Sequence, residues 1–425
     1  MRRNELPSRK PKRKLQMGTP EEDETEGNEQ IALDKSGFKE PYSLGSFLVL
    51  MIATLLIFSM TTSQSLLPIV LGARGFSESV IGYAMSITVV PVLLFGLVCG
   101  VFISKHGPLN GIMIGCLLAV CAHVSFDLLP QSESSLFISR FLHGTAMGFI
   151  LPAIITMAKA MLTGPKQTIM FGIFTSAIPG ANIIGPPLGD FYFQTYGTDG
   201  YFIVTAIPGF ISVFLFWYLH RKYSKVEMKH NVVFGYFKIL KRREIFIPLY
   251  GMIFPALLWG YILSYVTLAL TTKGMIIGVF FAATTVALIA GRFVMVKVVS
   301  SLAKDHAVLG AILAMSTSLV LIASFDGIGI TVVAGVLFGL SYSIVYPILS
   351  MWIANDVSAE FKPQAIALTN TMFNTFMYVA PLVCGYFLTF TDIISFQMYF
   401  ALVVGLSAFG FFVVLPRIIP SSPQK

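Results

Sequence analysis

Charge is what this sequence has least of. Of its 425 residues, 12% are Asp, Glu, Lys or Arg, about half the share usual in a soluble domain. So few charges cannot cover a water-facing surface of this length, which excludes a soluble protein. Cysteine is also scarce: Cys99, Cys116, Cys121 and Cys384 form no CxxC pair and have no histidine at metal-binding spacing. That removes a metal centre and a redox motif, and leaves four small apolar packing residues. Despite 36 glycines there is no phosphate-cradling loop, so ATP is not the energy source. No cofactor is expected, and with no buried catalytic cluster, no enzyme. The net charge of +8 and pI near 9.2 do not point to nucleic acid, because that reading needs a basic face on a soluble domain.

What the chain does have is apolar length. Hydrophobic residues make up 55% of it and the mean hydropathy is +0.78. Residues 1–43 are different, with a basic run (Arg2, Arg3, Arg9, Lys10, Lys12, Arg13, Lys14) followed by an acidic one (Glu21, Glu22, Asp23, Glu24, Glu26, Glu29). This composition predicts a disordered cytoplasmic tail, without the apolar core or cleavage site of a signal peptide. From Leu44 onward, runs long enough to span a bilayer alternate with short polar breaks. Twelve spans are expected, near 44–71, 79–104, 109–129, 135–160, 168–194, 200–219, 245–270, 275–299, 306–324, 328–354, 364–389 and 394–415. The fold class is therefore all-α and polytopic, with the lipid bilayer as its surroundings.

Lys and Arg fix the orientation. Setting the tail aside, sixteen fall in the connections on the side of the N-terminus and only two, Arg74 and Lys273, on the other. This asymmetry predicts both termini in the cytoplasm. The basic connection 221–243 divides the membrane portion into six-helix halves, 44–220 and 244–416, with residues 417–425 a second cytoplasmic tail. An internal repeat supports the division. Gly144, Pro152 and Pro186 recur as Gly339, Pro347 and Pro381, each 195 residues later. Paired halves of this kind belong to transporters that rock around a central site. The chain has no Asn-x-Ser/Thr sequon, compatible with a bacterial inner membrane, and is expected to act as a monomer.

Two segments and a loop carry a resemblance. They are Arg140-Phe-Leu-His-Gly144-Thr-Ala-Met-Gly148, Gly180-Ala-Asn-Ile-Ile-Gly185-Pro186-Pro187-Leu-Gly189, and the connection Gly100-Val-Phe-Ile-Ser-Lys-His-Gly107. Together they resemble the major facilitator superfamily, in particular its drug:proton antiporter branch and the arabinose-efflux-like permeases. The loop departs from the family pattern, with Ser104 and Lys105 where an aspartate and an arginine usually stand. The resemblance implies a secondary active exporter of a small organic molecule by alternating access, with protons as coupling ion. An importer or facilitator of the same fold, for a sugar, organic acid or metallophore, is the alternative.

Ionisable groups inside the spans are the most informative, since each is costly unless paired or facing water. Arg140 and His143 lie in the fourth span; Asp127 closes the third and Asp190 the fifth. Arg140 is expected to pair with Asp190 or Asp127 when the external side is closed. His143, on a similar face, is a possible proton carrier or a neutral hydrogen-bonding group. Gly180, Gly185 and Gly189 permit close helix approach. Pro186 and Pro187 should bend the fifth span, and the segment reads as a gate or hinge. The resemblance places the substrate cavity among the first, fourth, seventh and tenth spans and their neighbours. Its polar and aromatic lining would come from Gln64, Trp259, Tyr261, Tyr265, Tyr342, Tyr346, Asn370 and Asn374.

Overall fold

The computed structural model describes residues 39, 42–163, 167–223, 245–299, 303–357 and 362–414. Most of the N-terminal tail, nearly all of the basic linker and residues 417–425 lie outside the described residues. The rest is helical, in twelve segments that match the expected spans: α1 (Leu44–Ala73), α2 (78–106), α3 (Pro108–Leu128), α4 (Glu133–Met161), α5 (167–196), α6 (Tyr201–Tyr223), α7 (246–272), α8 (Ile277–Val299), α9 (Lys304–Ser324), α10 (Ile328–Asn355), α11 (Lys362–Phe387) and α12 (Ile393–Val414). Nine of these are long and apolar enough to cross a membrane among the described residues; α5, α8 and α11 fall short of that measure.

The sequence explains the interruptions. Pro68 has no amide hydrogen to offer the Gln64 carbonyl, so α1 tightens into a 3₁₀ turn over Ser63–Leu66 before resuming. In α5 the run from Pro179 to Pro187 divides the helix into Gln167–Thr175, Ala177–Gly180, a 3₁₀ turn over Ala181–Ile183, and Gly185–Tyr196. Pro186 and Pro187 open the last of these segments, just past the 3₁₀ turn. Thr62 donates its hydroxyl to the Ala181 carbonyl at 3.2 Å, a second donor beside the Ile184 amide at 3.0 Å, which ties the turn of α5 to α1.

Close approach explains the repeated glycine. A Cβ on Gly144 would stand 2.5 Å from the Thr88 carbonyl oxygen, and one on Gly339 would stand 2.1 Å from that of Thr284. Gly144 therefore lets α4 press onto α2, and Gly339 lets α10 press onto α8, the same contact in each half.

Between the halves, α2 packs on α11, α5 on α8, and the 3₁₀ turn of α1 on α7. The apolar core shows which end is shut. Leu66, Leu67, Val70, Ile81 and Met85 share one buried cluster with Leu258, Ile262, Val266, Leu270 and Phe280, so the ends bearing loops 74–77 and 273–276 are fused. At the opposite end the clusters are separate among the described residues, one with Phe47, Leu50 and Ile103, another with Ile245, Leu249, Ile353 and Val357. On the charge reading, the fused end is the external one.

Candidate functional site

The break in α1 gives the site its first residue. By ending regular helix at Thr62, Pro68 places Gln64 in the bundle interior, where it is 4% exposed. Arg140 of α4 donates from Nη1 to Gln64 Oε1 at 2.7 Å. The Gln64 amide nitrogen faces two imidazoles, 2.9 Å from His123 Nδ1 on α3 and 3.4 Å from His143 Nδ1 on α4. His123 Nε2 in turn lies 2.9 Å from the Thr205 hydroxyl of α6, which donates to the Tyr201 carbonyl at 2.7 Å. All of these side chains are buried.

Hydrogen-bond bookkeeping fixes the protons. A guanidinium cannot accept, so the group facing Arg140 must be the amide oxygen, and the amide N–H groups must donate to the histidines. Each imidazole then presents an unprotonated Nδ1. His123 carries its hydrogen on Nε2 and passes the chain to Thr205. The guanidinium lies over the Phe126 ring, 5.6 Å from its centroid, and the Tyr378 phenol of α11 lies within its electrostatic reach. Its Nε and Nη2 atoms have no partner among the described residues.

The expected carboxylate partners of Arg140 are engaged elsewhere. Asp127 is held by Arg74 at 2.5 Å, while its other oxygen accepts the Ile203 amide at 2.9 Å. Asp190 accepts from Gln194 at 2.9 Å on a half-buried face. Both acids sit nearer the fused end, where loop and helix-end groups reach them first. His123 and Thr205 were not singled out by the sequence; a lone histidine in an apolar run carries no pattern that distinguishes it.

In the other half, Trp259 stacks on Tyr342 with centroids 4.2 Å apart and an interplanar angle of 14°. Tyr346 lies one turn further along α10, donates to Asn370 Oδ1, and meets Phe373 edge-on at 5.1 Å. Asn374 is half-buried a turn beyond Asn370 on α11. Arg292 of α8 lies within electrostatic reach of both tyrosines and reaches across to α5, donating to the Thr175 and Ser176 hydroxyls at 3.0 and 3.2 Å. Tyr261 and Tyr265 are placed differently. Tyr261 donates to Gln397 of α12 at 2.7 Å, which anchors it in the core of its own half, and Tyr265 is fully buried beside it.

The motif glycines and prolines act at helix contacts. A Cβ on Gly148 would meet Gly96 N of α2 at 2.9 Å, one on Gly185 the Thr62 hydroxyl of α1 at 2.2 Å, and one on Gly189 the Tyr201 hydroxyl at 2.3 Å. Gly180 has only an ordinary contact with Leu55. Pro186 is buried, and Pro187 faces the other half, 3.3 Å from where a Cβ on Gly278 of α8 would stand.

Comparison with known proteins bears on the fold and the family. The chain is 31% identical over 144 residues to an uncharacterized MFS-type transporter, YuxJ, of Bacillus subtilis, covering 33% of this chain and 36% of that one. It is 23% identical over 194 residues to Multidrug resistance protein 1 of the same organism, covering 45% and 48%. The alignments thus span half or less of the length of these curated relatives. A POT family transporter solved in complex with 5-aminolevulinic acid superposes with a TM-score of 0.74 at 12% identity, over 90% of this chain and 98% of that one. The sequence profile of the Major Facilitator Superfamily matches residues 49–374. That match covers most of the chain, and the chain belongs to that superfamily.

Proposed function

We propose that the chain is a secondary active transporter that exports a small organic molecule by alternating access in exchange for protons. The observation that carries this reading is the buried network of Arg140, Gln64, His123 and His143 beneath a fused external end. A proton arriving at His143 Nδ1 would replace an acceptor with a donor facing the Gln64 N–H groups. Gln64 must then turn its oxygen toward the histidine, and Arg140 loses its one side-chain acceptor among the described residues. Protonation of the imidazole and the Arg140–Gln64 bond are thus mutually exclusive, which is the property a coupling element needs. The bent α5, with Pro187 against α8, serves as the gate between halves. Outward direction is supported by the name of the multidrug resistance relative.

The test compares the metabolites of host cells that express the full chain with those of cells that do not, in cells and medium separately. Export lowers a compound inside the expressing cells and raises it outside; the opposite distribution overturns the direction. That compound is then followed in everted vesicles under an imposed pH gradient. The His143→Gln protein should lose the pH dependence of uptake. An unchanged pH profile would remove histidine from the coupling.

A further inference from the structure

We infer that the transported molecule is an organic anion, whose carboxylate, phosphate or sulfonate group is taken up by the free edge of Arg140. The inference deepens the transporter reading and rests on it. A guanidinium presents two forks to a planar oxyanion, one across its two Nη atoms and one across Nε and the Nη on the same side. Arg140 spends Nη1 on Gln64, and the two atoms left without a partner, Nε and Nη2, are those of the side-on fork. The residue as a whole is 4% exposed, so bulk solvent does not reach that fork in the closed bundle.

A cation buried in a membrane span normally finds an anion in the protein. Here the two acids expected to pair with Arg140 are committed, Asp127 to Arg74 and the Ile203 amide, and Asp190 to Gln194. The second cation in the interior, Arg292, is held by two neutral hydroxyls rather than a carboxylate. No ion pair joins Arg140 or Arg292 to an acid among the described residues. The interior therefore carries positive charge that the described protein groups do not neutralise, and an anionic cargo would complete it. The stacked Trp259 and Tyr342 beside Arg292 offer an apolar wall for the body of the molecule. A cationic cargo would meet two uncompensated arginines and lose affinity to both.

The experiment uses the purified full chain in lipid nanodiscs and reads equilibrium binding as thermal stabilisation. The probes share one aromatic scaffold: phenylacetate, phenyl phosphate, benzenesulfonate, phenethylammonium and benzyl alcohol. At least one oxyanion should stabilise the protein, with the ammonium and the alcohol without effect. Arg140→Lys keeps the charge but loses the fork, and should weaken oxyanion binding about tenfold or more while helicity and elution stay native. Stabilisation by the ammonium or the alcohol as strong as by the oxyanions overturns the inference. So does oxyanion binding that survives Arg140→Lys unchanged, or a panel in which no oxyanion binds. Because the readout is binding, these failures leave the direction of transport and its coupling to protons to be judged by their own tests.

Discussion

At the fused end of the bundle one glycine pair brings the two halves into backbone contact, and adding a single methyl group there should open it. Gly82 on α2 and Gly385 on α11 meet across the two halves. A Cβ on Gly385 would stand 2.5 Å from the Gly82 Cα, and one on Gly82 would stand 2.6 Å from the Gly385 Cα. Carbon atoms pack at about 3.5–4.0 Å, so Gly385→Ala requires the helices to part by roughly 1 Å. Both obstructing atoms are backbone, and no side chain can swing away. Overpacking of this kind costs about 1–3 kcal/mol. Within one half that cost would weaken folding. Here the partners lie on different halves, so opening the fused end relieves it, and the population open at that end should rise by about 5–150-fold. Ser65 supplies the reporter. It is 2% exposed, and its carbonyl accepts a hydrogen bond from Thr267 of the other half at 2.6 Å. In the Ser65→Cys protein, a membrane-impermeant maleimide added from outside should label slowly. Adding Gly385→Ala should accelerate labelling by the same factor as the shift in population. Equal labelling rates in the two proteins, with native elution and melting in both, would refute the reasoning.

Other perturbations test the packing around the site. Asp127→Asn leaves Arg74, 9% exposed, with the Phe126 and Thr198 carbonyls but no counter-charge. It should lower stability by about 1–3 kcal/mol, and replacing Arg74 by Met as well should recover part of that loss; equal melting of the single and double variants counts against the pairing. Tyr201→Phe removes the hydroxyl that donates to the Ser63 carbonyl at 2.8 Å, at the break in α1. Its expected cost is about 1 kcal/mol, seen as a lower thermal midpoint. Asp392 caps α12 by accepting the Ile394 and Ser395 amides, and those bonds hold its carboxyl below the ordinary range. A depressed carboxylate stabilises the fold above its unfolded pKa and loses that contribution as pH falls through the folded one. The melting difference between wild type and Asp392→Ala should therefore be full at neutral pH and shrink on acidification.

The sequence revealed depth along the membrane far better than direction around a helix. Apolar run length marked out the helical segments, nine of them long and apolar enough to cross a membrane among the described residues, and the prolines of α5 marked its interruption, because both effects act along the chain. The pairing of Arg140 with an acid was reasoned from depth alone. Asp127 sits nearer the fused end, where the chain leaving α1 brings Arg74 to it. Gln64 was noticed as polar; that Pro68 would turn it toward α3 and α4 could not be read without the neighbours. His123 and the Gly82–Gly385 contact were invisible for the same reason: each has meaning only through a residue distant in the chain. The glycine repeat was legible, and the structure adds its cause, a backbone approach made once in each half.

The two basic residues that break the charge asymmetry follow from the same duplication. Arg74 ends α1 and Lys273 ends α7, and each is followed by a left-handed glycine, Gly75 at φ +91° and Gly274 at φ +64°. Such a glycine stops a helix and turns the chain back. Arg74 then donates to the Phe126 carbonyl near the end of α3 at 2.8 Å. Lys273 donates to the Ile322, Ala323 and Phe325 carbonyls at the end of α9 at 2.9, 3.0 and 2.9 Å. The last carbonyls of a helix lack intrahelical donors and carry partial negative charge, so a cation there is stabilised locally. Each is also paired with an acid, Asp127 at 2.5 Å and Asp326 at 2.8 Å. Neither is a free loop charge of the kind that orients a span. The basic residues on this face are spent on helix ends, which makes the asymmetry of the remaining loops sharper than the raw count. The device also locks α1 to α3 and α7 to α9 within each half, so relative motion is left to the contacts between halves: α2 on α11, and α5 on α8.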